Sequence, residues 1–184
     1  MRVTISLADV SIDLDVEESM RDAVAPFVEV FLPGFLVSGT VAEAGFLVRS
    51  VGEPVSGHNV EYPCRLEDLG PEAVSNLRRV LGRHGVHPGE TVIVCRNGCL
   101  CFPRGSRRAS LILPASESEG DRRAAFYRLF FVFLSQLMVR TGRLMLHGAG
   151  LRRGTQGHVF LGESGSGKST AALSVPISDV LSDD

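Results

Sequence analysis

Polar and apolar residues alternate over 2–7 and again over 10–16. That period of two predicts two strands, joined as a hairpin at Ala8-Asp9. Over 17–30 the period lengthens to that of a helix, with Met20, Val24, Phe27 and Val30 or Phe31 on one side. Pro26 predicts a kink or a late start, and Pro33-Gly34 ends the segment. Residues 35–41 and 45–51 read as short strands. Residues 52–63 read as a loop holding His58. A second helix is expected over 67–82, with Pro71 near its start and Leu77, Val80 and Leu81 inward. Residues 91–95 and 99–102 form a hairpin around the strong turn pair Asn97-Gly98. Residues 109–113 give one more strand.

Residues 114–120 are polar and mark a domain boundary. The longest helix is predicted over 121–141, capped by Asp121, stopped by Gly142 and apolar nearly all round from Leu129 to Val139. Residues 144–151 and 158–161 are apolar and return on each other through a turn near Thr155. A last strand is expected over 177–181. The predicted class is α/β with a mixed sheet: an α+β region over 1–115, then a core over 121–184.

The composition narrows the functions open to such a fold. The 184 residues carry a formal net charge of −2, so no electrostatic footprint for nucleic acid is present. The first fifteen residues contain three aspartates and no secretory signal pattern. The most apolar run, 126–139, contains Arg128 and is shorter than the roughly 20 residues a membrane helix needs. The four cysteines are Cys64, Cys95, Cys99 and Cys101. With Cys95 opposite Leu100 and Val94 opposite Cys101, Cys95 faces away from Cys99 and Cys101, which argues against a four-ligand zinc site. Reduced thiols in a cytoplasmic protein are expected instead. His84 and His87 are flanked by Gly85, Pro88 and Gly89, which oppose a metal-binding helix. Arg104, Arg107 and Arg108 form a basic loop. A solvated loop is its ordinary role, and an acidic partner its functional one.

One stretch carries specific chemistry. Gly162-Glu163-Ser164-Gly165-Ser166-Gly167-Lys168-Ser169 fits G-x-x-x-x-G-K-[ST] at every fixed position. Glycines let backbone N–H groups close around a polyphosphate. Lys168 then reaches the β- and γ-phosphates, and the Ser169 hydroxyl binds Mg²⁺. Thr170 and the alanines after it suit the helix turn that such a loop feeds. A chance Gly/Ser-rich turn would need neither the apolar strand before it nor the helix after it. The expected ligand is therefore a polyphosphate with Mg²⁺. His147 falls opposite about Glu163 in the predicted hairpin, at the mouth of the loop. Asp183 and Asp184 follow the last strand, where one holds Mg²⁺ and the other takes a proton from an attacking hydroxyl. A histidine satisfied at a sheet edge and a frayed acidic terminus are the plain alternatives.

Leu146-His147-Gly148, the hairpin, Phe160 to Ser169, and Ser182-Asp183-Asp184 resemble, in order and spacing, the core of the HPr kinase/phosphorylase family. They are closest to the HPr-kinase-like proteins of peptide-modification clusters, in which the loop ends in Lys-Ser-Thr. The resemblance covers about residues 143–184. It implies a PEP-carboxykinase-like fold and an ATP-dependent serine kinase acting on a protein, a peptide or a small hydroxyl compound. It also implies catalytic roles for His147, Asp183 and Asp184, with Ser169 and Asp184 at the metal, and a hexameric homo-oligomer. Thr170 stands where the HPr kinases proper carry an acidic residue. The helix after the loop is short, with Pro176 inside the interval. The family continues past its Asp-Asp pair, so by that comparison the chain reads as C-terminally incomplete. The alternative is a nucleotide-, anion- or peptide-binding module without catalysis.

Overall fold

A computed structural model describes residues 1–7, 9–52, 62–85, 90–95, 98–103, 105–115 and 118–182. They fall into two compact units, Met1–Leu137 and Met138–Asp184. The first opens with β1 (Arg2–Leu7) and β2 (Val10–Val16), antiparallel with Leu7 opposite Val10. Asp9 sits at φ 62°, a left-handed conformation that Asp tolerates in a tight turn. Then come α1 (Arg21–Phe31), β3 (Leu36–Val37), β4 (Ala44–Val51), β5 (Cys64–Arg65), α2 (Pro71–Arg83), β6 (Thr91–Cys95), β7 (Gly98–Phe102), β8 (Arg108–Pro114) and α3 (Glu119–Arg140). The strands form one sheet in the order β3-β1-β2-β4-β8-β7-β6-β5. Strands β2, β4 and β8 run parallel and the remaining pairs antiparallel, so the chain is mixed α/β.

One face of the sheet is held by rings. Phe46 of β4 lies 4.5 Å from Phe133 and 5.3 Å from Phe130, and Phe27 of α1 lies 5.3 Å from Phe126. Their T-shaped and tilted geometries are the favoured ones for aromatic pairs. This packing explains why the unit boundary falls after Leu137 rather than in the polar stretch before α3. The helix assigned by sequence to the second domain spends its aromatic side on the first. Within its apolar stretch from Leu129 to Val139 the helix buries several sides but leaves Phe131 and Val139 exposed. Ser118, not Asp121, caps its start: the Asp121 N–H donates to the Ser118 hydroxyl at 3.1 Å. Gly142, at φ 73°, ends it as expected.

Other boundaries move for local reasons. Pro33–Phe35 is a 3-10 turn, so the strand expected over 35–41 shrinks to β3. Leu66–Asp68 is likewise a 3-10 turn, and α2 begins at Pro71, where a missing N–H does no harm. Met20, just before α1, and Ala23, Val24, Phe27 and Val28 on it form the inner side, while Val30 is 69% exposed. The side chain of Phe31 lies outside the described residues, as do His58, His87, Asn97, Arg104, Asp183 and Asp184.

The cysteine hairpin pairs Cys95 with Gly98 and Val94 with Cys99, two residues along β7 from the expected register. A shift of two preserves the faces, so Cys95 still points away from Cys99 and Cys101. The latter two join Val94, Ile112, Leu77 and Leu81 in the core beneath α2.

The second unit is small. Strands β9 (Gly148–Arg153), β10 (Gln156–Leu161) and β11 (Val180–Ser182) form a sheet in the order β10-β9-β11, with β9 antiparallel to both neighbours. Helix α4 (Lys168–Leu173) packs Ala172 on Ala149 and Leu151. The expected strand over 144–151 begins only at Gly148. Leu161 is its last partner, and beyond that β10 turns away, leaving 144–147 no ladder to join. Residues 177–179 form a 3-10 turn, so the last strand is also shorter than predicted. Among the described residues no helix is long and apolar enough to cross a membrane.

Phe130→Ala should lower unfolding free energy by about 3–5 kcal/mol, the usual loss for a buried Phe. Val30→Ala, one exposed position on α1, should change it by less than about 0.5 kcal/mol. Urea unfolding followed by circular dichroism measures both, and equal effects would contradict the ring cluster as the anchor of the first unit.

Candidate functional site: the glycine loop between β10 and α4

The loop starts where β10 ends. A Cβ on Gly162 would come within 2.5 Å of the Ser166 Oγ, so the loop folds back on its own first residue and any larger residue there must displace the Ser166 side chain. Gly165 and Gly167 have φ values of 83° and 91°, where other L-residues are strained. Gly167 caps α4, and the Ala171 N–H donates to its carbonyl at 2.9 Å. The Ser166 N–H donates to the Glu163 carbonyl at 3.1 Å. Ser164 lies between these fixed points. Ser169 and Thr170 stand exposed in the first turn of α4. That helix has six residues, as Pro176 led one to expect.

Lys168 is drawn inside the loop. It is 6% exposed, and its Nζ donates to the carbonyls of Gly162 at 3.1 Å and Glu163 at 3.2 Å. An ammonium drawn inside a loop satisfies itself on backbone carbonyls, because an unpaired buried charge is costly.

His147 is the residue just before the last β9–β10 pair, Gly148 with Leu161, and it is exposed. Gly148 is clamped: a Cβ there would meet the Phe160 carbonyl oxygen at 2.6 Å and the Leu161 Cδ2 at 2.8 Å. From the other side, the Gly150 N–H donates to the Ser182 Oγ at 3.1 Å, and that hydroxyl donates to the Gly148 carbonyl at 3.3 Å. Because β10 and β11 are both antiparallel to β9, they run the same way. Their C-terminal ends, the loop and His147 share one edge of the sheet. Asp183 and Asp184 follow Ser182 in sequence. The role of Ser182 and the steric demand at Gly148 and Gly150 escaped the sequence reading. The visible signal was Gly-Ala-Gly inside a strand, where glycine marks close approach by neighbouring chain.

The remaining candidates separate. No group of three His, Cys, Asp or Glu able to hold a metal exists among the described residues. All four cysteines are free. A hydrogen bond with Cys101, together with burial, raises the Cys99 thiol well above its ordinary pKa, and burial with nearby Asp68 raises that of Cys64. Thiols held protonated are poor nucleophiles and poor ligands. The basic loop does not act as one patch. Arg107 pairs with Glu43 at 3.1 Å, whereas Arg108 is the first residue of β8. The chain matches no protein-family model, no curated protein and no solved structure.

Gly162→Ala should abolish binding of inorganic phosphate or sulfate at the loop while far-UV circular dichroism stays unchanged. The double variant Gly162→Ala/Ser166→Gly should recover most of that binding, because the clash is with one side chain. A double variant as defective as the single one would show that the crowding at Ser166 is not what Gly162 relieves.

Proposed function

We propose that the second unit binds Mg-ATP and transfers its γ-phosphoryl group to a hydroxyl, as an HPr-kinase-like serine kinase on a PEP-carboxykinase-like core. The acceptor class is a protein, a peptide or a small hydroxyl compound. The observation that carries this is the glycine loop: all fixed positions of the phosphate-binding motif lie between a strand end and a helix start, and Lys168 already points into the loop's polar interior. The shared edge with His147 and the end of β11 supports catalysis over simple binding. The proposal carries a cytoplasmic location and a homo-oligomer with it.

The amides of 162–167 would cradle the phosphates, and Lys168 would exchange its two carbonyls for phosphate oxygens. The donors fit Mg²⁺: Ser169 offers an exposed hydroxyl on the first turn of α4, and Asp184 a carboxylate, both hard oxygen ligands. Bound there, Mg²⁺ would neutralise charge on the transferred group. Asp183 would accept the proton of the attacking hydroxyl, with His147 orienting it. Catalysis of this kind is mostly positioning and charge neutralisation, which suits residues gathered on one sheet edge.

Calorimetric titration with Mg-ADP should show binding to the wild type and a loss of at least about tenfold for Lys168→Met, since a charge-assisted contact to phosphate is removed. The same variant leaves two loop carbonyls unpaired and should lower stability by about 1–3 kcal/mol, so its folding is checked first. Asp183→Asn should keep Mg-ADP affinity and lose phosphoryl transfer from labelled ATP. Binding without transfer in the wild type would favour the nucleotide- or anion-binding module. Equal affinity in wild type and Lys168→Met would remove the loop as the nucleotide site.

A further inference from the structure

The open face of the first unit carries a polar row that no part of the proposed kinase uses. The register aligns Thr4 with Asp13, Asp13 with Gly45, and Gly45 with Arg108, one rung across four neighbouring strands. Residues directly opposite each other share a face, so these side chains stand side by side. Asp13 is fixed from one direction. Its Oδ1 accepts from the Thr4 hydroxyl at 2.8 Å and its Oδ2 from the Arg2 Nη2 at 2.7 Å. Those bonds, then the charges of Arg2 and Arg108, hold its carboxyl below the usual carboxylate range, so it is an anion.

Arg108 comes from the other direction. A Cβ on Gly45 would meet its Cγ at 3.3 Å and its Cδ at 3.6 Å, so the absence of a side chain lets the arginine lie flat across β4. Its guanidinium feels Asp13 electrostatically but makes no hydrogen bond or ion pair among the described residues. An anion and a cation therefore face one space without touching.

That space is a cavity of about 720 Å³, open to solvent, within the range of small-molecule sites. Its far wall is apolar: Leu36 and Val37 of β3, then Val41, which is 89% exposed. Arg2, Arg108 and Asp13 line the cavity, and Asp15, which acts on Arg2 from the adjoining recess, brings the local charges into balance. A net anion gains little from such a field. A dipolar ligand gains at both ends.

We infer that this cavity binds a free α-amino acid with an apolar side chain, its ammonium on Asp13, its carboxylate on Arg108 and its side chain against Leu36, Val37 and Val41. The pieces agree in scale. The Asp13 and Arg108 backbones lie two strand spacings apart, about 9.5 Å, and the flattened arginine spans part of that gap. The rest suits two charged groups on one carbon. Arg offers a planar, two-pronged match to the carboxylate. Asp13 keeps lone pairs for the ammonium beyond those used by Thr4 and Arg2.

The test uses the full chain, uniformly ¹⁵N-labelled, titrated with L-leucine and followed by amide shifts. L-leucine should shift amides of β1, β2, β4 and the start of β8. N-acetyl-L-leucine, which lacks the ammonium, and L-leucine methyl ester, which lacks the carboxylate, should each bind at least about tenfold more weakly, the loss expected when one charged contact is removed. Arg108→Gln should weaken L-leucine by a similar factor. Gly45→Ala, which keeps both charges and pushes the arginine stem aside by a few tenths of an ångström, should weaken it by a smaller factor. No shifts up to the solubility of leucine would overturn the inference. So would N-acetyl-L-leucine binding as well as leucine, because one carboxylate would then suffice. Unchanged affinity in both variants would also sink it.

Discussion

The second unit depends on β9 having no side chain where its two neighbours converge. At Gly148, β10 presses its backbone carbonyl to within 2.6 Å of where a Cβ would stand. At Gly150, β11 brings the Ser182 hydroxyl to 3.0 Å of the equivalent point. The close approach lets one hydroxyl touch both glycines at once. It brings the end of β11 level with the start of the loop. A larger residue at either place would force the strands apart, and the loop, His147 and the end of β11 would no longer share an edge. Glycine weakens a strand through entropy and lost packing, by roughly 0.5–1 kcal/mol relative to Ala. Two of them in a six-residue strand mark a position where geometry outweighs strand stability.

Local patterns were readable wherever one rule acted alone. The hairpin of β1 and β2, the strand β8 and the stop of α3 at Gly142 follow from alternation and glycine chemistry. Where a tertiary partner decides, the pattern misled. Residues 144–147 are as apolar as a strand, but β10 has already turned into the loop, so their backbone has no ladder. Val30 keeps the helical period of α1 yet falls outside the face that Phe27 and Val24 bury. The polar break before α3 looks like a boundary in composition. The rings of Phe126, Phe130 and Phe133 cross it to reach Phe27 and Phe46. Aromatic burial of that size outweighs a short hydrophilic connection.

The candidate site divides along the same line. Its loop was legible because the phosphate motif is contiguous and each glycine answers to a local need, a close neighbour at Gly162 and a positive φ at Gly165 and Gly167. The row of Thr4, Asp13, Gly45 and Arg108 was not, because register assembles it from four strands spread over more than a hundred residues. Nothing in a one-dimensional pattern pairs residue 13 with residue 45. The basic loop illustrates the reverse error. Arg107 and Arg108 are adjacent in sequence, yet Arg107, just before β8, pairs with Glu43 and Arg108, its first residue, lies across the sheet face.

The state of Lys168 bears on how the loop meets an anion. Its ammonium is already desolvated and already holds two carbonyls. A phosphate arriving there therefore gains no new burial of the lysine. It would replace the bonds to the Gly162 and Glu163 carbonyls with bonds to an anionic acceptor, and the loop amides would add their own. The donor is charged in both cases, and what a phosphate adds is direct attraction between opposite charges. The loop carbonyls released in the process need water or a rotated peptide to satisfy them. The positive-φ glycines at 165 and 167 permit such rotations with little strain, because glycine populates both halves of φ space. Glycine thus serves the loop twice. It admits the close contact at Gly162 that shapes the loop, and it would leave the backbone free to reorganise if the lysine changed partner.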